Sequence, residues 1–119
     1  MEVKIGGSEY YRKRYIKDHP EYLFIFEDTL EDEDFEDYKN VFPIPTYDER
    51  GNYFKDKHLE RNKSIIKDAI EDILKEAKRK SFRRVVIPEK SIGKGKSKLY
   101  EDEPETYEYL KRKMSELTT

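Results

Sequence analysis

The chain has 119 residues and a mass of 14.4 kDa, material for one domain and too little for two independent cores. Only 34% of residues are hydrophobic and 44% are charged, so the core is thin and depends on ten tyrosines and six phenylalanines. With no cysteine and two histidines, disulfide frameworks, thiolate zinc sites, cysteine nucleophiles and multi-histidine metal sites are excluded, and no apolar run approaches a membrane-spanning helix.

In chain order, Met1-Glu2-Val3-Lys4-Ile5-Gly6-Gly7 lacks the apolar stretch of a signal peptide, which leads to the expectation of a cytoplasmic protein. Tyr10-Tyr11-Arg12-Lys13-Arg14-Tyr15 interleaves rings with cations. That pattern predicts a half-exposed strand, and it is also what a single-stranded nucleic-acid platform uses. Tyr22-Leu23-Phe24-Ile25-Phe26 predicts a buried strand, and Val41-Phe42-Pro43-Ile44-Pro45, with two missing amide donors, an edge strand or extended loop. Asp48-Glu49-Arg50-Gly51-Asn52 is a turn by composition. Leu59, Ile66, Ile70, Ile73 and Ala77 recur at helical spacing, predicting an amphipathic helix over about 57–77, begun near His58. Val85-Val86-Ile87, stopped by Pro88, predicts an interior strand, and residues 88–103 a loop. Pro104 suits a helix start, and Tyr107, Leu110, Met114 and Leu117 give that last helix its buried face. The order predicts a single α/β domain over 1–119, with a small sheet flanked by helices and joined by right-handed crossovers. Residues 1–20 form an N-terminal strand or arm and 21–117 the core.

The net charge of −2 conceals a segregation. Residues 18–37 carry ten acids and no Lys or Arg, whereas residues 75–98 carry ten bases against Glu76 and Glu89. Such blocks are ordinarily solvated faces, and they make a salt-sensitive homo-oligomer an open expectation. The densest acidic stretch, Glu31-Asp32-Glu33-Asp34-Phe35-Glu36-Asp37, is a candidate docking strip for a basic protein or a nucleic-acid mimic.

The segment with most chemical content follows the last strand: Ser91-Ile92-Gly93-Lys94-Gly95-Lys96-Ser97-Lys98-Leu99. Two glycines one residue apart let the backbone approach a ligand closely, and alternating lysines favour an anion. It lacks the third glycine of a dinucleotide fingerprint and the full G-x-x-x-x-G-K-[ST] pattern of a P-loop, since Lys90 stands at the first glycine of that pattern. No residue pattern calls for a cofactor or metal.

Together with Glu103-Pro104-Glu105-Thr106-Tyr107-Glu108-Tyr109-Leu110, this segment resembles a family of small phage and bacterial macro-domain-like proteins with a V-I-P … G-x-G-x-A-x-L … A-P-x-T-Y-x-Y-L half. Phe26-Glu27-Asp28-Thr29 stands at that family's F-G-D-N, Ile44-Pro45-Thr46 at its I-P-T and Tyr53-Phe54-Lys55-Asp56 at its Y-F-x-D. The similarity spans roughly residues 22–117. It implies a macro-domain-like or Rossmann-like fold with a nucleotide-type pocket at the carboxyl ends of the strands. There Asp28 holds a base or ribose edge, Thr46 and Asp56 add polar contacts, and Gly93, Lys94, Gly95 and Ser97 line the phosphates. The chain departs from the pattern at Glu27 and Thr29, and the acidic run at 31–37 replaces a glycine-rich stretch.

Three functions follow as expectations. The first is a phage-type domain in the host cytoplasm that binds an ADP-ribose-like or cyclic nucleotide, in an anti-defence role that sequesters a host immune signal. The second is an acidic interaction protein acting through residues 31–37. The third is a nucleotide or ADP-ribose hydrolase, for which Asp28, Asp56 and the Tyr53 hydroxyl are the groups at hand. Enzymatic activity is left open, with no catalytic set assigned.

Overall fold

In a computed structural model that describes residues 2–28, 38–88, 92–95 and 97–117, four parallel strands form one sheet with helices on both faces. In chain order the elements are β1 (Glu2–Gly6), a 3-10 turn (Ser8–Tyr11), α1 (Lys13–Asp18), β2 (Tyr22–Asp28), β3 (Val41–Pro45), a 3-10 turn (Asp56–His58), α2 (Leu59–Lys80), β4 (Arg84–Pro88), α3 (Leu99–Asp102) and α4 (Pro104–Ser115). The strand order is β1-β4-β2-β3, every pair parallel. This is the α/β class that the sequence predicts. The acidic run at 31–37 lies outside the described residues.

Strand alternation divides the core into two. Leu23 and Ile25 of β2, Val85 and Ile87 of β4 and Ile44 of β3 pack with Ile66, Ile70 and Ile73 of α2 and with Tyr107, Leu110 and Met114 of α4. On the opposite face Phe24, Val41 and Val86 pack with Ile16 of α1. Each isoleucine that α2 buries contributes about 1.5–3 kcal/mol relative to exposure, so one 22-residue helix supplies much of the hydrophobic stabilisation. It ends where Ser81 turns into the left-handed region, at φ 54°, three residues beyond the apolar stripe.

Residues 10–15 correct the sequence reading, since they are helical and contribute no strand. The rings and cations there satisfy two periods at once, and tertiary burial selects the helical one. Ile16 becomes fully buried, the Tyr15 ring packs edge-on against Phe24, and Arg12, Lys13, Arg14 and Lys17 face water. The N-terminal strand is instead β1, whose Val3 and Ile5 give too short an apolar pattern to stand out. The 88–103 segment likewise contains α3, a single turn, in place of continuous loop.

β3 is an edge strand, which accommodates Pro43 and Pro45 without orphaning a neighbour. The central pair behaves differently. β2 and β4 pair only from Tyr22↔Arg84 to Phe24↔Val86, while β4 continues with β1 to Pro88 and β2 continues with β3 to Asp28. In that parting the Tyr11 hydroxyl lies 2.5 Å from the Ile25 carbonyl oxygen and 3.2 Å from that of Val86. Among the described residues no helix is long and apolar enough to cross a membrane.

Candidate functional site at the carboxyl edge of the sheet

Because all four strands are parallel, their carboxyl ends gather Asp28, Thr46 and the loop after β4 along one edge. Thr46 is fully buried and its hydroxyl donates to the Asp28 carbonyl at 2.7 Å, tying the ends of β2 and β3 together. The Tyr47 hydroxyl donates to the Asp28 carboxylate at 3.2 Å.

The glycine loop reaches the same edge through a residue that the sequence reading did not single out. The Glu27 carboxylate accepts the Gly93 amide hydrogen, and a Cβ on Gly95 would lie 3.0 Å from the other Glu27 oxygen. The loop therefore closes around an anion supplied by its own chain. Gly93 is buried at φ +94°, and a Cβ there would lie 3.0 Å from the Tyr107 ring, so its first duty is packing. Lys94 is exposed with its ammonium 4.9 Å from the Tyr100 ring centre, and the buried Ser97 hydroxyl has no partner among the described residues. The signal for Glu27 was its position: it replaces the glycine of F-G-D-N directly before Asp28.

Asp56 is placed elsewhere. Its carboxylate accepts the Thr106 and Glu105 amide hydrogens at 2.9 and 3.2 Å, and its own amide donates to the Glu103 carboxylate at 2.9 Å. This is a reciprocal cap on the start of α4, formed by residues about fifty positions away in sequence.

The β3–α2 connection forms a concave part of the edge. Tyr47 bridges Tyr53 in antiparallel fashion, and between them Asp48 closes the turn. One Asp48 oxygen accepts the Arg50 and Asn52 amide hydrogens at 2.9 and 3.1 Å, the other accepts Arg61 at 2.7 Å, and Gly51 takes the left-handed conformation at φ +81°. The Asn52 amide hydrogen chiefly, helped by that of Arg50 and by the Arg61 charge, holds the Asp48 carboxyl below its ordinary value against the opposing effect of burial.

Around this turn lies a cleft of about 260 Å³, lined by Asp48, Arg50, Asn52, Tyr53, Lys55, Lys57, His58 and Arg61. It holds four permanent cations and one carboxylate, which already accepts three hydrogen bonds, one of them from Arg61. Arg61 keeps one buried donor, Nε, without a partner among the described residues. His58 and Arg61 belong to the amino end of α2, where helical amides and the helix dipole also favour negative charge. Linear charge counting misses this site, because residues 48–61 hold four acids and four bases. Folding separates them: Asp48 turns into the turn amides, Asp56 caps α4 and Glu60 pairs outward with Lys63.

A family model matches residues 7–113. The chain belongs to DUF7831, a family of unknown function. The part of the chain that defines DUF7831 contains the cleft, the Glu27-held loop and the Asp56 cap, whereas β1 precedes it. No curated protein and no solved structure matches the chain.

Proposed function

We propose that this DUF7831 domain binds a phosphate-bearing, nucleotide-type small ligand at the carboxyl edge of its sheet, with the phosphate in the β3–α2 cleft. The observation that carries this reading is a concave site with four cations whose one carboxylate already accepts three hydrogen bonds. Arg61 is fixed by Asp48 and still has Nε to donate, Arg50, Lys55 and Lys57 supply mobile charge, and the Tyr53 ring offers a surface for a sugar or base. Asp28 and Thr46 stand at the ends of the neighbouring strands, on the side where an open parallel sheet receives ligands. In the sequestering role implied by the macro-domain-like resemblance, such a ligand is held and released unchanged.

The test is thermal denaturation with inorganic phosphate, ADP-ribose, ATP and cyclic dinucleotides, on the parent and on an Arg50→Gln/Lys57→Gln variant. Both side chains are exposed, so the variant keeps its fold. A ligand at 100 times its Kd stabilises the folded state by about 2.7 kcal/mol, a shift well within measurement. The expected result is a shift with at least one nucleotide class that shrinks in the variant and at high salt. No shift with any of them, or an equal shift in both proteins, refutes the assignment. Recovery of intact ligand after incubation separates binding from hydrolysis.

A further inference from the structure

The two edges of the sheet are protected unequally. β3 carries Pro43 and Pro45, which deny a neighbouring chain two amide donors. β1, the opposite edge, has the sequence Glu2-Val3-Lys4-Ile5-Gly6, with no proline, and pairs with β4 along its inner side. Its outer ladder of amides and carbonyls is open among the described residues.

Its two faces also differ. Glu2, Lys4 and Gly6 lie on the α1 side, where Glu2 pairs with Arg84 at 2.8 Å and the Lys4 ammonium lies 5.5 Å from the Tyr10 ring centre. Val3 and Ile5 face the α2 and α4 side, in register with Val85 and Ile87. Those partners are 0% and 8% exposed, but Val3 and Ile5 are 38% and 57% exposed, because the helical layer stops short of β1. With Tyr100 they are the exposed large hydrophobic residues of the described chain. An open ladder with bare aliphatic side chains is the feature that soluble proteins ordinarily protect.

We infer that β1 pairs antiparallel with β1 of a second copy of this chain, joining two sheets into one of eight strands. Residues directly opposite in an antiparallel pair share a face, so the charges on β1 select the register. A two-fold axis through Lys4 would set the two Lys4 ammonium groups against each other and Glu2 against Gly6. An axis through Val3 sets Glu2 opposite Lys4 of the second copy, twice, and brings the two Val3 side chains together on the other face. The first register would set Val3 against Ile5 but opposes two ammonium groups, whereas the second is complementary in charge and still joins the two Val3 side chains, so charge makes the second the one the dimer adopts. A closed two-fold pairing uses both open edges and leaves β3, with its prolines, at each end of the joined sheet.

Sedimentation equilibrium over a concentration series up to about millimolar tests this. The parent is expected to form a dimer that weakens with salt. Lys4→Glu and Glu2→Lys each place like charges opposite one another and are expected to sediment as monomers, with circular dichroism reporting an unchanged fold. The double variant Glu2→Lys/Lys4→Glu restores opposite charges and is expected to recover the dimer, a rescue that loss of the Glu2–Arg84 pair alone cannot produce. A parent that stays monomeric throughout overturns the inference, and leaves the edge to a strand from another protein. A dimer indifferent to both single charge reversals overturns it too, since the copies then meet elsewhere.

Discussion

Replacing Tyr11 by Phe removes one oxygen from the place where β2 and β4 part. That hydroxyl carries one hydrogen, which it gives to the Ile25 carbonyl just beyond the last paired residue of β2, with the Val86 carbonyl of the last pair as the longer alternative, so the variant leaves one acceptor short of a donor. A hydrogen bond contributes about 0.5–1.5 kcal/mol net, and an orphaned buried acceptor adds to the loss, giving about 2 kcal/mol together. For a chain of this size that lowers Tm by roughly 6–10 °C. A second signature comes from pH, because burial raises the Tyr11 phenol well above the ordinary tyrosine value. The unfolded chain releases this proton near pH 10 and the folded chain retains it, so above that pH the unfolded state binds fewer protons and stability falls as pH rises. By pH 11 the parent has lost about 1.4 kcal/mol through this residue, whereas the Phe variant has nothing to ionise. All other titrating groups cancel in the comparison, so the gap between the proteins closes from about 2 kcal/mol at pH 8 to about 0.6 kcal/mol at pH 11. Urea unfolding followed by far-ultraviolet circular dichroism at the two pH values measures both gaps. A Phe variant as stable as the parent at pH 8, or a gap unchanged at pH 11, refutes the reasoning.

Three further outcomes follow from the site. Asp56→Ala removes a cap spanning two α4 amides and is expected to cost about 1–2 kcal/mol in urea unfolding while ligand affinity is kept, so an unperturbed midpoint would show that the cap contributes nothing. The Asp48 carboxyl is held below its ordinary value, so its contribution is complete above about pH 4 and disappears as pH falls through the folded value. Asp48→Asn is accordingly expected to flatten the acid limb of a stability-against-pH curve, and an identical limb in parent and variant would contradict that. Gly51→Ala meets open space and bears only the strain of its positive φ, about 1 kcal/mol, whereas Gly93→Ala also pushes on Tyr107 and is expected to cost about 2–3 kcal/mol. Equal losses in chemical denaturation would remove the packing role assigned to Gly93.

What the chain states by itself is carried by period and punctuation. The apolar run at 22–26, the β-branched run at 85–87, the helical stripe around Ile66, Ile70 and Ile73, and Pro104 at a helix start are local patterns, and each element forms where its pattern lies. Together they fix the α/β class. Three things were decided only when distant segments met. The Tyr10–Tyr15 stretch satisfies strand and helix periods equally, and burial of Ile16 beside Phe24 and Val86 settles it as helical. The glycine loop reads as an empty cradle for an anion until β2 brings Glu27 to the Gly93 amide. The cleft is invisible to a count of charge because acids and bases are equal in number through residues 48–61; only the fold gives Asp48 its turn amides and Asp56 the start of α4, leaving the cations on one surface. Secondary structure is a property of neighbours in sequence and is therefore legible there. A charged site depends on which charges have already found partners, and those partners are named by the tertiary fold.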